Sequence, residues 1–574
     1  MSVKVVSGKV PPFKYLLNER QVNDLEMILT QAFYPLDGFM RYDDYVHTIN
    51  NDTLADGTVW PIPVVLAIPK IQFRNDEEVY LIKDYNTTIE LIDPKFPESV
   101  AAKIHIESIY EPDLMYECQK VLGTTDINHP YVKYVNSNTD VYYVGGKVEK
   151  VEGVKHYDFV QYRHTPKSIK NVIDYHNYER VLGFQTRNPM HNCHYTLSKY
   201  TYDEIDCGTE SGTETGSGSN ISNKKLLLLQ PVVGVTQNDD VEYHTRVRCY
   251  VHLLSKYYTD KVNVKLCLLP LSMRMAGPKE ALLHAIIRQN YGCTDFVIGR
   301  DHAGPSTKRQ DGRTFYEPYD AHDYVSRFKD RLKINIHKSV ALVYSPTLDK
   351  YTTINNVPDK QYLELSGTEL RRKLKNRENI PDWFTLPAIA KELQIAYNIS
   401  ENRGLCIYLI GLSGAGKTTL SQALKYRLME KFDESRITVL DGDVIRENLS
   451  QGLGFDKQSR SINVRRIGYV ASLITKLDGI VLCANIAPYD EDRLYNRKLI
   501  ESTNGRYVEV FVDTPISECE RRDVKGLYKK ARSGAIPQFT GVTDPFERPS
   551  KPDIIVNGIG DINKTLDVIM EYLF

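Results

Sequence analysis

Gly411-Leu412-Ser413-Gly414-Ala415-Gly416-Lys417-Thr418-Thr419 lies between an apolar run, Leu405–Ile410, and a helical pattern, Thr418–Met429. This is G-x-x-x-x-G-K-[ST] in the strand–loop–helix context that phosphate binding requires. The glycines let backbone N–H groups face the phosphates, and the helix N-terminus adds positive potential. Lys417 is placed to reach the β- and γ-phosphates of ATP, and Thr418 to hold Mg²⁺. A chance match in a Gly-rich turn is the bland alternative, and the flanking strand, helix and Lys-Thr pair argue against it. Outward from the loop the alternation continues. Ile437–Leu440, Gly479–Ala484, Tyr507–Val512 and Asp553–Val556 read as further strands with helical stretches between them and one after. Strands alternating with helices predict a parallel sheet covered on both faces. Residues 396–574 are therefore read as one P-loop α/β domain, entered through the polar run Asn398–Arg403.

Leu440-Asp441-Gly442-Asp443 closes the second of these strands. Open α/β sheets bind ligands at strand C-termini. One Asp suits Mg²⁺ and the other suits a substrate hydroxyl proton; a plain Asp-Gly turn is the alternative. Arg446, Arg460, Arg465 and Arg466 follow and supply cations for an anionic co-substrate.

A second α/β alternation spans 166–330. Arg180–Thr186, Leu226–Val235, Val262–Leu269 and Asp295–Gly299 read as strands, and Pro189–Tyr202, Val241–Leu254 and Lys279–Tyr291 as helices. A doubly wound parallel sheet is expected. After the first strand comes Gln185-Thr186-Arg187-Asn188-Pro189-Met190-His191-Asn192-Cys193-His194. Asn188 reads as an N-cap and Pro189 as the first helical residue. His191 and His194 then share a helical face near a positive helix end, a site that suits a polyphosphate. Gly299-Arg300-Asp301-His302-Ala303-Gly304-Pro305 sits after the last strand, so Arg187, His191, His194, Arg300 and His302 are expected to converge on substrate anions. HxxH also allows a metal site, although zinc needs a third or fourth ligand, and histidines also serve as ordinary surface or core residues. The Gly/Ser/Thr-rich stretch Cys207–Asn223 reads as a solvated loop.

Residues 1–165 hold short β-branched and aromatic runs, such as Val79–Ile82 and Val141–Val144, with one early helix at Glu19–Gln31. A β-rich domain without a catalytic constellation is expected there. Residues 331–395 form a smaller mixed segment with a helix start at Ser366. At 574 residues the chain has room for three or four domains. The 73 basic and 74 acidic residues leave a net charge of −1, which argues against a nucleic-acid coat or a polybasic membrane binder. No apolar run approaches the roughly 20 residues that span a bilayer. Nine cysteines without a CxxC pair read as free thiols in a reducing compartment, so a cytoplasmic address is expected.

Residues 405–574 resemble adenylylsulfate (APS) kinase, on GLSGAGKTT, DGDVIREN, LGFDKQSRSINVRRIG, IAPY and DVKGLYKKARSGAIPQFTGVTDPFERP. The resemblance implies phosphoryl transfer from MgATP to the 3′-hydroxyl of APS, giving PAPS. It places ATP on Gly411, Ser413, Gly414, Gly416, Lys417, Thr418 and Thr419. APS falls to Asp443, Arg446, Arg460, Asn463, Lys525 and the Ile486-Ala487 backbone, with adenine between Phe455 and Phe539. Two departures stand out: Ala487-Pro488 where many relatives have Ser-Pro, and Asn485 where an aromatic often sits.

Residues 1–395 resemble fungal-type ATP sulfurylase, on LNERQVNDLEMILTQAFYPLDGFM, QTRNPMHNCH, QPVVGVT, MRMAGPKEALLHAIIRQNYG, GRDHAGPS and LSGTELRRKLKNRENIPDWF. The family reaction is ATP plus sulfate giving APS plus pyrophosphate, with a PUA-like N-terminal domain. By resemblance Gln185, Arg187 and Ala303 hold sulfate, and Thr186, Arg187 and Asn188 orient the α-phosphate. His191 and His194 meet the β,γ-phosphates. Gly299, Arg300, Asp301, His302 and Leu342 line the nucleotide site, and Arg274 comes from a mobile loop. Gln237 stands where relatives carry a Lys. The implied whole is a bifunctional homohexamer. The competing reading makes the C-terminal half a PAPS-binding allosteric module, and Lys417, Thr418, Asp441 and Asp443 speak against it.

Overall fold

The computed structural model describes residues 13–73, 88–205, 224–237, 240–258, 262–339, 341–358, 361–376, 378–397, 404–523 and 525–574. The expected strand at Val79–Ile82, the Cys207–Asn223 loop and the Asn398–Arg403 linker lie outside the described residues. The chain divides into two units, Met1–Lys155 with Gln161–Leu393, and His156–Val160 with Gln394–Phe574. The five residues His156–Val160 belong with the second unit because the Phe159 N–H donates to Glu430 Oε1 at 2.6 Å.

In the first unit, seven strands make the N-terminal sheet: β1 Phe13–Leu16, β2 Gly38–Phe39, β3 Leu66–Pro69, β4 Thr88–Ile92, β5 Val100–His105, β6 Ser108–Tyr110 and β7 Val141–Lys150. The order is β1-β4-β5-β7-β2, with β3 and β6 also on β7. β7 serves four partners because Gly145 and Gly146 let neighbours cross closely. A Cβ at Gly145 would lie 2.2 Å from Met40 O, and one at Gly146 would lie 1.9 Å from His105 O. The early helix runs Glu19–Leu29, two residues shorter than expected, and Asn18 and Gln21 cap it reciprocally.

The second sheet of this unit takes β8 Arg180–Phe184, β9 Lys225–Leu229, β10 Val264–Leu266, β11 Asp295–Ile298 and β12 Asn335–Lys338, ordered β10-β9-β8-β11-β12. All pairings are parallel. β9 and β11 are buried at every residue, as strands covered on both faces are. The fifth strand lies past residue 330, so the sheet extends into the segment read as a separate small domain. That segment adds a hairpin, β13 Leu342–Ser345 with β14 Lys350–Thr353. Connection direction reverses between β8 and β11, and the C-terminal ends of strands at such a switch point are where open α/β sheets bind ligands.

The second unit is built on β15 Leu405–Ile410, β16 Ile437–Asp441, β17 Ile480–Ala484, β18 Arg506–Val512 and β19 Ile554–Val556, all parallel in the order β16-β17-β15-β18-β19. β15 is central and wholly buried, and it delivers the phosphate loop at its C-terminal end. Short helices at Gly442–Glu447, Ile516–Arg522 and Leu527–Arg532 come in addition to the long connecting helices.

Candidate active sites

In the first unit the chain leaves β8 through Gln185, whose Oε1 is buried without a hydrogen-bond partner among the described residues. Thr186 Oγ1 accepts the Asn188 N–H at 2.9 Å and lies 3.2 Å from Asn188 O. That hydroxyl turn holds Thr186–Asn188 in a tight loop, and no helix starts at Asn188. The helix runs Asn192–Glu204 instead, and His191 is its N-cap. Asn192 ties the start down, its N–H donating to Phe384 O at 3.0 Å and its side chain to Asp382 O at 2.8 Å.

His191 stacks on Phe384 with ring centroids 4.4 Å apart, and its Nδ1 lies 3.0 Å from Thr385 Oγ1. Burial, helped by the neighbouring His194, pushes its pKa down to about 3, so the ring is neutral near pH 7. At His194 burial works against a charge, and the Cys193 sulfur, 3.5 Å from Nδ1, outweighs it and raises the pKa. The His191 backbone N–H, however, donates to that same Nδ1 at 3.2 Å. A backbone amide cannot give up its proton or turn away, so the geometry favours the tautomer with the proton on Nε2.

Arg187 is mostly buried, with Nη1 2.8 Å from Met275 Sδ and Nε 3.8 Å from Asp240 Oδ2. Past β11, Asp301 and Ala303 adopt left-handed φ of 54° and 55° and curl the chain so that the Gly299 N–H reaches His302 Nδ1 at 3.3 Å. His302 Nε2 lies 2.9 Å from His284 Nδ1. Burial holds His302 well below the usual histidine range, and the charges of His284, Arg288, His322 and Arg187 add to this. The Arg187 charge thus acts on the His302 ring. Arg300 donates its N–H to Ser339 Oγ at 3.0 Å, and its exposed guanidinium pairs with Asp301 at 3.0 Å. Leu342 opens β13, half-buried. Arg274 is not brought to this group. It is 2 % exposed, and Nη2 donates to Asp24 Oδ2 at 2.6 Å. Gln237 makes up for its lost charge with a clasp: Nε2 donates to Ser306 Oγ at 2.8 Å, and Oε1 accepts the Ser306 N–H at 3.1 Å. Among the described residues no three His, Cys, Asp or Glu side chains are grouped to hold a metal ion.

In the second unit Gly414 and Gly416 take φ of 72° and 99° and turn the loop into the helix Lys417–Met429. Lys417 Nζ donates to Gly411 O at 3.0 Å and to Leu412 O at 2.7 Å. Burial pushes its pKa down to about 8, against the pull of Cys519, Asp441 and Asp443. Thr418 Oγ1 donates to Asp441 Oδ2 at 2.8 Å, and Asp441 Oδ1 accepts the Asp443 N–H at 3.0 Å. The Asp443 carboxylate faces outward and pairs with Lys525. Thr418 and Asp441 thus present hard oxygens together beside the phosphate loop, a donor set that fits Mg²⁺. Thr419 is exposed at the helix start, and Ser413 O accepts from Tyr528 OH at 2.9 Å.

Arg446 lies 4.4 Å over the Phe455 ring, which is 60 % exposed, while Phe539 is buried against Tyr528. Arg460 is buried and donates to Phe455 O and Gln538 O, each at 2.6 Å. Asn463 Oδ1 is buried without a partner among the described residues. Ala487 holds a left-handed φ of 44° beside half-buried Ile486, and its carbonyl accepts from Arg493 at 2.7 Å. Asn485 turns into the sheet, where Nδ2 donates to Tyr408 OH at 3.0 Å.

Family models agree with both halves. The ATP-sulfurylase model matches residues 160–396, the adenylylsulphate kinase model 403–557 and the PUA-like domain model 11–153. Sulfate adenylyltransferase of Gibberella zeae is 38 % identical over 542 residues, spanning 94 % of this chain and 89 % of that protein. The chain belongs to the sulfate adenylyltransferase family. The Mycosarcoma maydis sulfate adenylyltransferase is 36 % identical over 564 residues, spanning 97 % and 93 % of the two chains. A solved hexameric APS kinase from Thiobacillus denitrificans matches with a TM-score of 0.51 and 26 % identity, over 98 % of this chain and 92 % of that one. The sulfurylase and kinase domains are the pair that activates sulfate in two steps, through APS to PAPS.

Sequence reasoning missed several residues that support these sulfurylase and kinase sites. Met275, Phe384 and Thr385 touch Arg187 or His191 from far along the chain, and Tyr408 and Tyr528 brace the kinase site from the sheet and a late helix. Met275, Phe384 and Tyr528 lie within the quoted stretches, where nothing local marks them as supports, and Thr385 and Tyr408 lie outside them. Among the described residues no helix is long and apolar enough to cross a membrane, and the eight described cysteines are free.

Proposed function

We propose that the sulfurylase site works by positioning and fixed charge, with no covalent enzyme intermediate. A sulfate oxygen attacks the α-phosphorus of ATP, and the bond to pyrophosphate breaks. Gln185, Arg187 and the Ala303 backbone hold sulfate. Thr186, Arg187 and Asn188 orient the α-phosphate, and Gly299 to His302 and Leu342 line the nucleotide site; Arg274, held on Asp24, takes no part in it. His191 and His194 donate to the departing β,γ-phosphates as neutral rings, while Arg187 supplies the permanent charge. Such preorganised donors stabilise charge as it develops. The reading is carried by the meeting of the two strand ends at one loop: Arg187 Nη1 lies 2.8 Å from Met275 Sδ, and two residues on the Gly277 N–H donates to Ala303 O at 3.2 Å. Arg187→Ala tests it: APS synthesis should be lost while phosphorylation of supplied APS survives. APS formation from sulfate at near the wild-type rate would refute the assignment.

The kinase domain is read as active rather than as a regulatory PAPS-binding module. The buried Lys417 and the Thr418–Asp441 contact carry this, since both serve phosphoryl transfer and neither is needed to bind PAPS. Bound Mg²⁺ on Thr418 and Asp441 would neutralise charge on the β- and γ-phosphates. Asp443, paired with Lys525, accepts the 3′-hydroxyl proton of APS. Arg446, Arg460, Asn463 and the Ile486-Ala487 backbone hold the nucleotide and sulfate of APS, with adenine between Phe455 and Phe539. Transfer of γ-label from ATP to APS by the wild-type chain tests this. No transfer, with APS synthesis altered by added PAPS, would favour the regulatory reading. A homohexamer in the cytoplasm fits both the hexameric neighbour and the free thiols.

A further inference from the structure

One helix of the N-terminal domain reaches the loop behind Arg187. From Glu19–Leu29, Arg20 Nη1 donates to Met273 O at 2.9 Å, Asn23 Nδ2 to Ser272 Oγ at 3.0 Å, and Asp24 Oδ2 accepts from Arg274 at 2.6 Å. Positions i, i+3 and i+4 of one helical face thus hold three consecutive residues of the loop. The fourth hold comes from His129, which is fully buried. Its Nδ1 accepts the Tyr131 N–H at 3.2 Å, so Nε2 carries the proton and donates to Met275 O at 3.1 Å. Met275 needs that hold because its φ is 57°, a left-handed conformation a side-chain-bearing residue rarely adopts. In that conformation its sulfur meets the Arg187 guanidinium at 2.8 Å.

We propose that the N-terminal domain is a working part of the sulfurylase site, with Asp24 and Met275 as positioning residues that set where Arg187 stands. A thioether is a weak acceptor. It orients the guanidinium yet yields to a sulfate oxygen, whereas a carboxylate in its place would compete with the substrate. The clamp has room to give: Asp24 Oδ1 and Arg274 Nε are buried without partners among the described residues, and both residues line a cavity with Arg20, Tyr131 and Tyr134. This inference rests on the reading of Arg187 as the sulfate-binding residue.

The test uses the full chain and follows pyrophosphate release against sulfate concentration. Asp24→Asn keeps the shape and removes the charge, and Met275→Leu keeps the volume and removes the sulfur. Each should raise KM for sulfate about tenfold, since small misplacements of an orienting group cost one to two orders of magnitude, with kcat changed less than about twofold. The double variant should be no worse than the poorer single one, because both act through the same contact. Phosphorylation of supplied APS by the kinase domain should stay at the wild-type rate. A fall in kcat at unchanged sulfate KM would mean a merely structural clamp and overturn the proposal, as would additive effects. Loss of activity in Arg187→Ala with no change in Asp24→Asn would sink this inference alone. Full activity in Arg187→Ala would sink the sulfate reading beneath it.

Discussion

Replacing Lys417 with Met should make the kinase domain more stable and leave it unable to make PAPS. The side chain is buried, and burial drives its pKa from 10.5 to about 8. That displacement corresponds to about 3 kcal/mol held against folding whenever the ammonium is charged. Methionine fills a similar volume without the charge. The variant loses the hydrogen bonds to Gly411 O and Leu412 O, worth about 1 kcal/mol each. The net gain is about 1 kcal/mol at pH 7, or about 2–4 °C in Tm for a unit of this size. The sign with pH follows from the depressed pKa. The penalty on the wild type is complete below about pH 8, fades as pH rises toward 10.5 and is absent above it. The advantage of Lys417→Met should therefore shrink between pH 8 and 10. Calorimetric scans of the two proteins at several pH values, with γ-label transfer to APS assayed in parallel, check both halves. A variant less stable than wild type at pH 7, or an advantage that widens with pH, would refute the reasoning. Retained PAPS synthesis would remove Lys417 from the reaction.

Three further outcomes follow. His194→Ala should slow pyrophosphate release about 10²–10³-fold, as loss of one preorganised donor does, while ATP binding by calorimetry changes little; equal losses would make His194 a ground-state contact. Tyr408→Phe should destabilise the kinase domain by about 1–3 kcal/mol, because Asn485 and Asn496 both donate to that hydroxyl, read as a lower urea midpoint at constant slope. Gln237→Ala should raise KM for ATP in the sulfurylase reaction by freeing Ser306 and the turn that carries His302, and an unchanged KM would show that the clasp is not needed.

The phosphate loop was legible because its motif encodes backbone conformation. Glycine stands where φ is positive, and a Cβ at Gly411 would come within 2.7 Å of Val512 O. The parallel sheets were legible from alternation, since strands buried on both faces show as unbroken apolar runs. The start of the His191 helix was misread because Asn188 and Pro189 match local cap preferences. The observed start is instead tied down at Asn192 by Phe384 O and Asp382 O, some 190 residues on. The Arg274–Asp24 pair joins residues 250 apart, and the Asn485–Tyr408 contact 77 apart. No local pattern predicts such partners, because they are fixed by how finished elements pack.

The two sites solve one electrostatic problem with different cations. Both stand at the C-terminal ends of parallel strands, and both must hold polyphosphate before and after charge moves. In the sulfurylase domain His191 and His302 are pushed toward neutrality by burial, while the Cys193 sulfur raises His194. Three cations enclosed together without an anion would cost several kcal/mol each. An arginine keeps its proton under those conditions and a histidine does not. The domain thus assigns permanent charge to Arg187 and hydrogen-bond donation to the rings. The kinase domain has a helix N-terminus to share the load, and Lys417 rests on two carbonyls until phosphate arrives. Its depressed pKa records how incomplete that substitute is, and the binding of ATP phosphates to the loop should draw the value back up.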